Sequence, residues 1–267
     1  MLEYDVSDPS AMWRDALAEV DRAFASPPRL DRPVSGCTHC FPESELMALG
    51  EDSATVSDDL LGEFMRKEVD HWDADEYAVL WRRFLPRALR SWGPGGGSDR
   101  TTPALELGRL GSSGARLPQW PTVERLAVER AFGVLLAVGV IDGRPVGDVT
   151  DLIEGIAHAT GGLERWLAHV AALRGPGLDA GVVRLVLGWA KDLLWEDLDF
   201  SWWSDGDPRV IAAWLPSQRD RAEAFAVRHP GCKTAADALI AVERLQSGEG
   251  SPWVYPYGAD PRLKLAA

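Results

Sequence analysis

The sequence predicts an all-α fold in which antiparallel helix pairs form either a bundle or an irregular α-superhelix. Three observations support it. Apolar residues recur at the helical period in most of the chain, no segment alternates as a strand does, and most breaks between periodic segments are short and rich in Gly or Pro. The clearest case runs from Tyr77 to Trp92, where apolar side chains follow i, i+3, i+4 and i+7 over about four turns.

The same periodicity predicts about nine further helices. Ser57, Asp207 and Thr234 stand at the start of three of them and are expected N-caps, because their side chains can accept a hydrogen bond from the first turn. Pro86 predicts a kink or a break in the helix over 77–92. The remaining helices are predicted over 8–24, 43–49, 57–69, 123–135, 145–159, 163–170, 182–193, 208–228 and 233–245.

One long stretch, 93–120, is rich in Gly, Pro and Ser, which indicates a linker or a loop. It divides an N-terminal helical half, 1–92, from a C-terminal half, 121–267, or it forms a loop on one domain that contains both. With 267 residues, the chain can bury a core without disulfides in either arrangement.

The excess of acidic over basic residues limits the classes of partner that the chain is expected to bind. A net charge of -13 repels phosphate groups, so neither nucleic acid nor an anionic lipid surface is an expected partner.

The most apolar run, 131–141, has 11 residues, whereas a membrane span needs about 20. Three cysteines and no apolar run near the start predict a reduced, cytoplasmic protein.

The sequence offers one candidate metal site. Cys37 and Cys40 form a Cys-x-x-Cys pair, and His229 and Cys232 form a His-x-x-Cys pair in a Pro-Gly turn. Together these four residues would make a closed structural zinc site. His39 and His71 are rival ligands. The alternative is that the cysteines are small reduced residues with no metal.

Residues 41–80 hold 12 acidic residues and two basic ones. This acidic stretch predicts either a docking surface for a basic protein or a solvated helical face. The residues expected to bind such a partner are Asp58, Asp59, Glu63, Glu68, Asp70 and Asp73.

Residues 35–92 resemble a family of uncharacterised bacterial proteins. The resemblance rests on Cys37-x-x-Cys40, on Glu43-x-Glu45-Leu46 and Asp58-Asp59-Leu60, and on Phe84-Leu85-Pro86-Arg87. In that family a Cys-containing turn precedes a short helix, an acidic helix and a helix ending in Phe-Leu-Pro-Arg. No activity is assigned to it, so the resemblance implies the order of the elements and no function.

The nucleophile elbow, the zinc-protease helix, the phosphate loop and the dinucleotide fingerprint are all absent from the sequence. The leading prediction is therefore a non-enzymatic acidic helical protein that binds another protein, for example as an immunity or inhibitor protein for a basic partner. Two alternatives stay open. One is a metal-dependent hydrolase with a helical cleft, and the other is a small-ligand binder that uses some of the 12 tryptophans to line a pocket.

Overall fold

The computed structural model describes residues 8–26, 30, 32–51, 55–94, 103–111, 114–198 and 207–256. Within these residues the chain forms twelve α-helices, three short 3-10 helices and no strand, which confirms the predicted all-α class. The pairing of extended backbone in this part is a single antiparallel bridge between Gly36 and Trp72.

Helices account for most of the described chain. In chain order, the α-helices are α1 (Pro9–Ala23), α2 (Glu43–Gly50), α3 (Asp58–Arg66), α4 (Ala74–Trp92), α5 (Pro103–Gly111), α6 (Thr122–Ile141), α7 (Val146–Thr160), α8 (Leu163–Ala172), α9 (Pro176–Leu194), α10 (Asp207–Trp214), α11 (Arg219–Arg228) and α12 (Lys233–Ser247). The 3-10 helices are Val69–His71, Leu117–Gln119 and Leu215–Gln218. None of the described helices combines the length and apolar character needed to cross a membrane.

Of the three predicted N-cap residues, one caps a helix and two lie within the first turn of theirs. Ser57 caps α3 as predicted, because its hydroxyl accepts from the Leu60 N–H at 3.2 Å. Asp207 is already the first residue of α10. Thr234 is not an N-cap either, since α12 begins one residue before it and Cys232 takes the cap position.

The predicted kink or break at Pro86 is not a break, because α4 continues through this residue to Trp92. The apolar stripe of α4 is buried on both sides of the proline. This packing compensates for the missing backbone hydrogen bond.

Two predicted segments are divided differently in the structure. The stretch 208–228 is not one helix, because the 3-10 turn Leu215–Gln218, which contains Pro216, separates α10 from α11. The stretch 93–120 contains α5, so the part of it that the structure describes is not a plain linker. Residues 95–102 and 112–113 lie outside the described residues.

The chain separates into two compact units. The N-terminal unit consists of Glu3–Val138 with Asp151–Gly162, and the C-terminal unit consists of Met1–Leu2, Gly139–Thr150 and Leu163–Ala267. The division predicted from the sequence, with halves 1–92 and 121–267 on either side of 93–120, stays a prediction.

Aromatic packing forms the centre of the N-terminal unit. The Phe64 ring lies 5.3 Å from Trp72, 5.4 Å from Trp81 and 5.6 Å from Phe84, measured between ring centroids. Such pairs contribute about 0.5–1.5 kcal/mol each beyond the area that they bury. This cluster joins α3 to α4 and to the residue that follows His71, so it fixes the relative positions of these elements.

In the C-terminal unit, α9 packs along α12, and the rings of Trp189 and Trp214 lie 5.5 Å apart. The final described segment, 249–256, contacts the end of α9: Tyr255 donates to Asp197 at 2.9 Å and Lys191 lies over the Trp253 ring. Nine of the 12 tryptophans are buried, which accounts for most of the tryptophan excess as core packing.

Candidate metal centre

The candidate centre is built on a short backbone pairing in the N-terminal unit. The Cys37 N–H donates to the His71 carbonyl at 2.8 Å, and the Asp73 N–H donates to the Ser35 carbonyl at 3.0 Å. These two bonds flank the bridge between Gly36 and Trp72. The pairing holds the cysteine segment beside the start of α4 and close to His71.

Glycine is required at position 36 for this pairing. A Cβ atom there would lie 2.7 Å from Leu46 Cδ2 and 2.9 Å from Trp72 Cζ3. Both neighbours are buried side chains, so neither can move away without disturbing the core. The close approach of residue 36 to Trp72 therefore depends on the absence of a side chain.

A buried carboxylate anchors the same segment. Glu76, 4% exposed, accepts from the Ser35 N–H at 2.6 Å and from the Ser35 hydroxyl at 3.3 Å, and it also pairs with Arg32. A charged acceptor makes stronger hydrogen bonds than a neutral one. Glu76 thus ties the residues just before Cys37 to the first turn of α4.

The two cysteines lie on one turn. The Cys40 N–H donates to the Cys37 carbonyl at 3.1 Å, and the Phe41 N–H donates to the same carbonyl at 3.0 Å. The 3-10 helix Val69–His71 brings His71 to the turn. As a result, Cys37 Sγ, Cys40 Sγ and a ring nitrogen of His71 all lie within 4.8 Å of one another.

These spacings fit a tetrahedral metal ion. Bonds of about 2.3 Å to sulfur and about 2.1 Å to nitrogen place two sulfurs roughly 3.8 Å apart and a sulfur and a nitrogen roughly 3.6 Å apart. The distance between Cys40 Sγ and His71 Nδ1 is 3.4 Å, close to that value. Cys37, Cys40 and His71 could therefore hold a metal ion with only small side-chain movements.

The surroundings favour the thiolate form that a metal requires. A hydrogen bond with the His71 side chain, followed by the backbone N–H groups of Cys40 and His39, lowers the pKa of Cys37 to about 7. Lys67 Nζ lies 3.6 Å from Cys40 Sγ and places a positive charge beside the pair. Thiolate, not thiol, is the metal-binding form, so the hydrogen bonds to Cys37 favour the form of this ligand that a metal needs.

His71 is also oriented for coordination. Its Nδ1 faces Cys40, while its Nε2 lies 3.9 Å from a carboxylate oxygen of Asp70. Metal-binding histidines commonly donate from the second ring nitrogen to a carboxylate; at 3.9 Å Asp70 lies beyond hydrogen-bond distance but on the side where such a partner is found. The His71 side chain is 32% exposed, so the site lies at the surface above buried Phe41 and Trp72.

The sequence-predicted ligands divide between the two units. His39 is exposed on the cysteine turn and is not part of the three-residue cluster found among the described residues. His229 and Cys232 belong to the C-terminal unit, where the Cys232 N–H donates to the His229 carbonyl at 3.0 Å. The four-ligand set with Cys37 and Cys40 stays a prediction. Lys67 and Glu76 were missed because no motif marks a residue that supports a ligand.

At least four of the six predicted partner-binding carboxylates have contacts within the chain, including Asp70, which lies beside His71. Asp58 pairs with Arg87, and Glu68 pairs with Arg109 at 2.8 Å. Asp73 caps α4 by accepting from the Asp75 and Glu76 N–H groups. Much of this acidic stretch therefore contributes to internal contacts of the N-terminal unit.

Comparison of the chain with protein-family models, with curated proteins and with solved structures finds no match. The resemblance of residues 35–92 to an uncharacterised bacterial family stays a prediction. The function is therefore inferred from the site itself.

Proposed function

We propose that this chain is a zinc-binding helical protein in which Cys37, Cys40 and His71 hold one Zn²⁺. The observation that carries the proposal is the convergence of three ligand atoms within 4.8 Å. Zinc suits a mixed thiolate and imidazole set better than Mg²⁺ or Ca²⁺, which prefer oxygen ligands.

The role proposed for the ion is structural, with a fourth donor completing the tetrahedron formed with Cys37, Cys40 and His71. It would link the cysteine turn to the 3-10 helix Val69–His71, two segments already paired by the Cys37 N–H bond to the His71 carbonyl. The site lies at the surface and its ligands come from loops and a one-turn helix. A metal crosslink stabilises such an arrangement because the unfolded chain lacks a preformed site.

The experiment is metal analysis of protein purified without chelator, on the natural chain and on single variants. Cys37→Ser and His71→Ala are expected to lose zinc, because two ligands bind far more weakly than three. His39→Ala is the matched histidine control and is expected to keep zinc. The proposal is wrong if the natural chain contains no zinc, or if His71→Ala binds it as tightly as the natural chain does.

Cys232→Ser decides between the two ligand sets. If Cys232→Ser keeps zinc, the centre consists of Cys37, Cys40 and His71 with a fourth donor from elsewhere. If Cys232→Ser and a variant of His229 both lose it, the four-ligand set predicted from the sequence is correct. Replacing zinc with Co²⁺ gives a direct count of the thiolate ligands, because the visible absorption of bound Co²⁺ depends on the number of thiolates and on the coordination number.

Protein binding through the acidic stretch stays a proposal beside this one. Since Asp58 and Glu68 pair with arginines of the chain, neutralising them would disturb internal contacts as well as a docking surface. Glu63 is exposed and offers the cleaner test. Loss of a basic partner in E63Q but not in a variant of an exposed carboxylate of the C-terminal unit, such as D220N, would support the docking surface.

The two alternatives have less support. A pocket-lining role for tryptophan is disfavoured because nine of them are buried in the core. One cavity in the C-terminal unit is lined by residues of α6, α7 and α9 and by Arg144 from the loop between α6 and α7, and this lining contains no tryptophan. Hydrolysis would need a substrate cleft at the metal centre in addition to an open coordination position.

A further inference from the structure

We infer that the metal centre is a redox switch, in which hydrogen peroxide converts Cys37 and Cys40 to a disulfide and thereby releases the metal. The switch rests on the proposed zinc site and adds its regulation. Its basis is the position of the two sulfurs on one turn, together with the groups that surround them.

The turn allows a disulfide without refolding. A hydrogen bond from the Cys40 N–H to the Cys37 carbonyl closes a four-residue turn, whose end Cα atoms lie within about 7 Å of each other. Disulfides form across Cα distances of about 4.4–6.8 Å. The two Sγ atoms already lie within 4.8 Å, so rotation of the side chains can bring them together.

Both cysteines lie near the surface, and two basic side chains lie beside Cys40. Cys37 and Cys40 are half-buried, and both are free thiols in the structure. Lys67 Nζ lies 3.6 Å and His71 Nδ1 lies 3.4 Å from Cys40 Sγ, and the thiolate form of a cysteine is the form that attacks a peroxide. Hydrogen peroxide is small and uncharged, so the acidic stretch around the site does not repel it.

The reaction balances with peroxide as the only co-reactant. One thiolate sulfur attacks a peroxide oxygen, the O–O bond breaks, hydroxide leaves, and a sulfenic acid forms. The second thiolate then attacks the sulfenic sulfur, the S–O bond breaks, a second hydroxide leaves, and the S–S bond forms. Two electrons pass from the two sulfurs to the peroxide, and the two hydroxides take up protons from the acid form of the buffer to give two waters.

Oxidation removes two of the three proposed ligands at once. His71 alone cannot retain zinc, because structural sites use four ligands and catalytic sites use three. The crosslink between the cysteine turn and the 3-10 helix Val69–His71 is then lost. The third cysteine, Cys232, belongs to the other unit and is not needed for the reaction.

The test treats the zinc-loaded full chain with one equivalent of peroxide and follows three readouts. These are zinc released to a chromogenic chelator, thiols counted after unfolding, and the disulfide identified by peptide mass spectrometry. The expected result is loss of two of the three thiols for each zinc released, with Cys232 still reduced. Dithiothreitol with added zinc is expected to restore the two thiols and the bound zinc. Cys232→Ser, the matched control, is expected to release zinc equally and to retain no thiol.

The outcomes separate this inference from the proposed function. A natural chain that binds no zinc overturns both. A chain that binds zinc but keeps three thiols and its metal after peroxide overturns the switch alone. The switch is also overturned if zinc is released while the disulfide joins Cys232 to either of the other cysteines, or if only sulfinic acids form.

Discussion

Glu76 is predicted to support the metal centre without touching the metal. The perturbation is Glu76→Gln, which keeps the shape of the side chain and removes its charge. The matched control is Glu63→Gln, the same change at an exposed position of the same acidic stretch. Comparing the two variants separates the buried contacts of Glu76 from the general effect of one less negative charge.

The magnitude follows from the contacts of Glu76. A hydrogen bond to a charged group contributes about 1.5–3 kcal/mol and one between neutral groups about 0.5–1.5, so each bond loses about 1 kcal/mol. Glu76 accepts two bonds from Ser35 and pairs with Arg32, whose side chain is 56% exposed and adds little after solvent screening. We expect Glu76→Gln to lower the free energy of unfolding by about 2 kcal/mol.

Glu76→Gln is expected to lower the zinc affinity as well as the free energy of unfolding. Residues that orient metal ligands typically change metal affinity by roughly 10–100-fold. The assays are urea unfolding in the presence of chelator and zinc affinity by competition with a chelating dye. If Glu76→Gln and Glu63→Gln both match the natural chain in both assays, Glu76 does not anchor the cysteine segment.

Two further predictions concern glycine packing and pH. Gly36→Ala is expected to cost about 1–3 kcal/mol of stability and to weaken zinc binding, because its Cβ would lie 2.7 Å from Leu46. Gly147→Ala, where a Cβ meets nothing within 4 Å, should be neutral or stabilising, and equal urea midpoints for the two variants would refute the packing argument. Burial and the nearby Asp197 carboxylate raise the pKa of Asp192 to about 6. The folded chain therefore holds this proton more tightly than the unfolded chain, and the stabilisation is full below about pH 4 and lost as the pH rises through 6. Asp192→Asn should remove this dependence and be about 1–2 kcal/mol more stable than the natural chain at pH 8, after allowance for partial exposure, whereas an unchanged pH profile would contradict it.

The spacing of apolar residues along the sequence was sufficient to predict most of the helices. The apolar stripe of α4 spaces Tyr77, Trp81 and Phe84 on one face, and these residues are buried as the pattern predicts. The same reasoning failed at α5, which lies between segments rich in Gly and Ser. The segment of α5 itself contains Ala, Leu, Glu and Arg, which favour a helix, and Leu107 and Leu110 are buried, so the Gly- and Ser-rich flanks alone led to the prediction of a linker or loop.

The candidate centre was only half predictable. The Cys-x-x-Cys spacing identified Cys37 and Cys40, because two thiols on one turn are a local feature. The choice among His39, His71 and His229 was not local. His39 is the nearest in sequence but is exposed to solvent, whereas His71 reaches the cysteines through the pairing of Gly36 with Trp72.

The sequence by itself determined the all-α class, the positions of most helices and the two cysteines of the site, since helical period and turn spacing depend on neighbours a few residues apart. Only the tertiary structure decided that His71 joins them, that Lys67 and Glu76 support them, and that Asp58 and Glu68 pair with arginines. These contacts join residues about 30 or more positions apart in most cases. They form because packing of Phe64, Trp72 and Trp81 brings distant segments together, which no local pattern encodes.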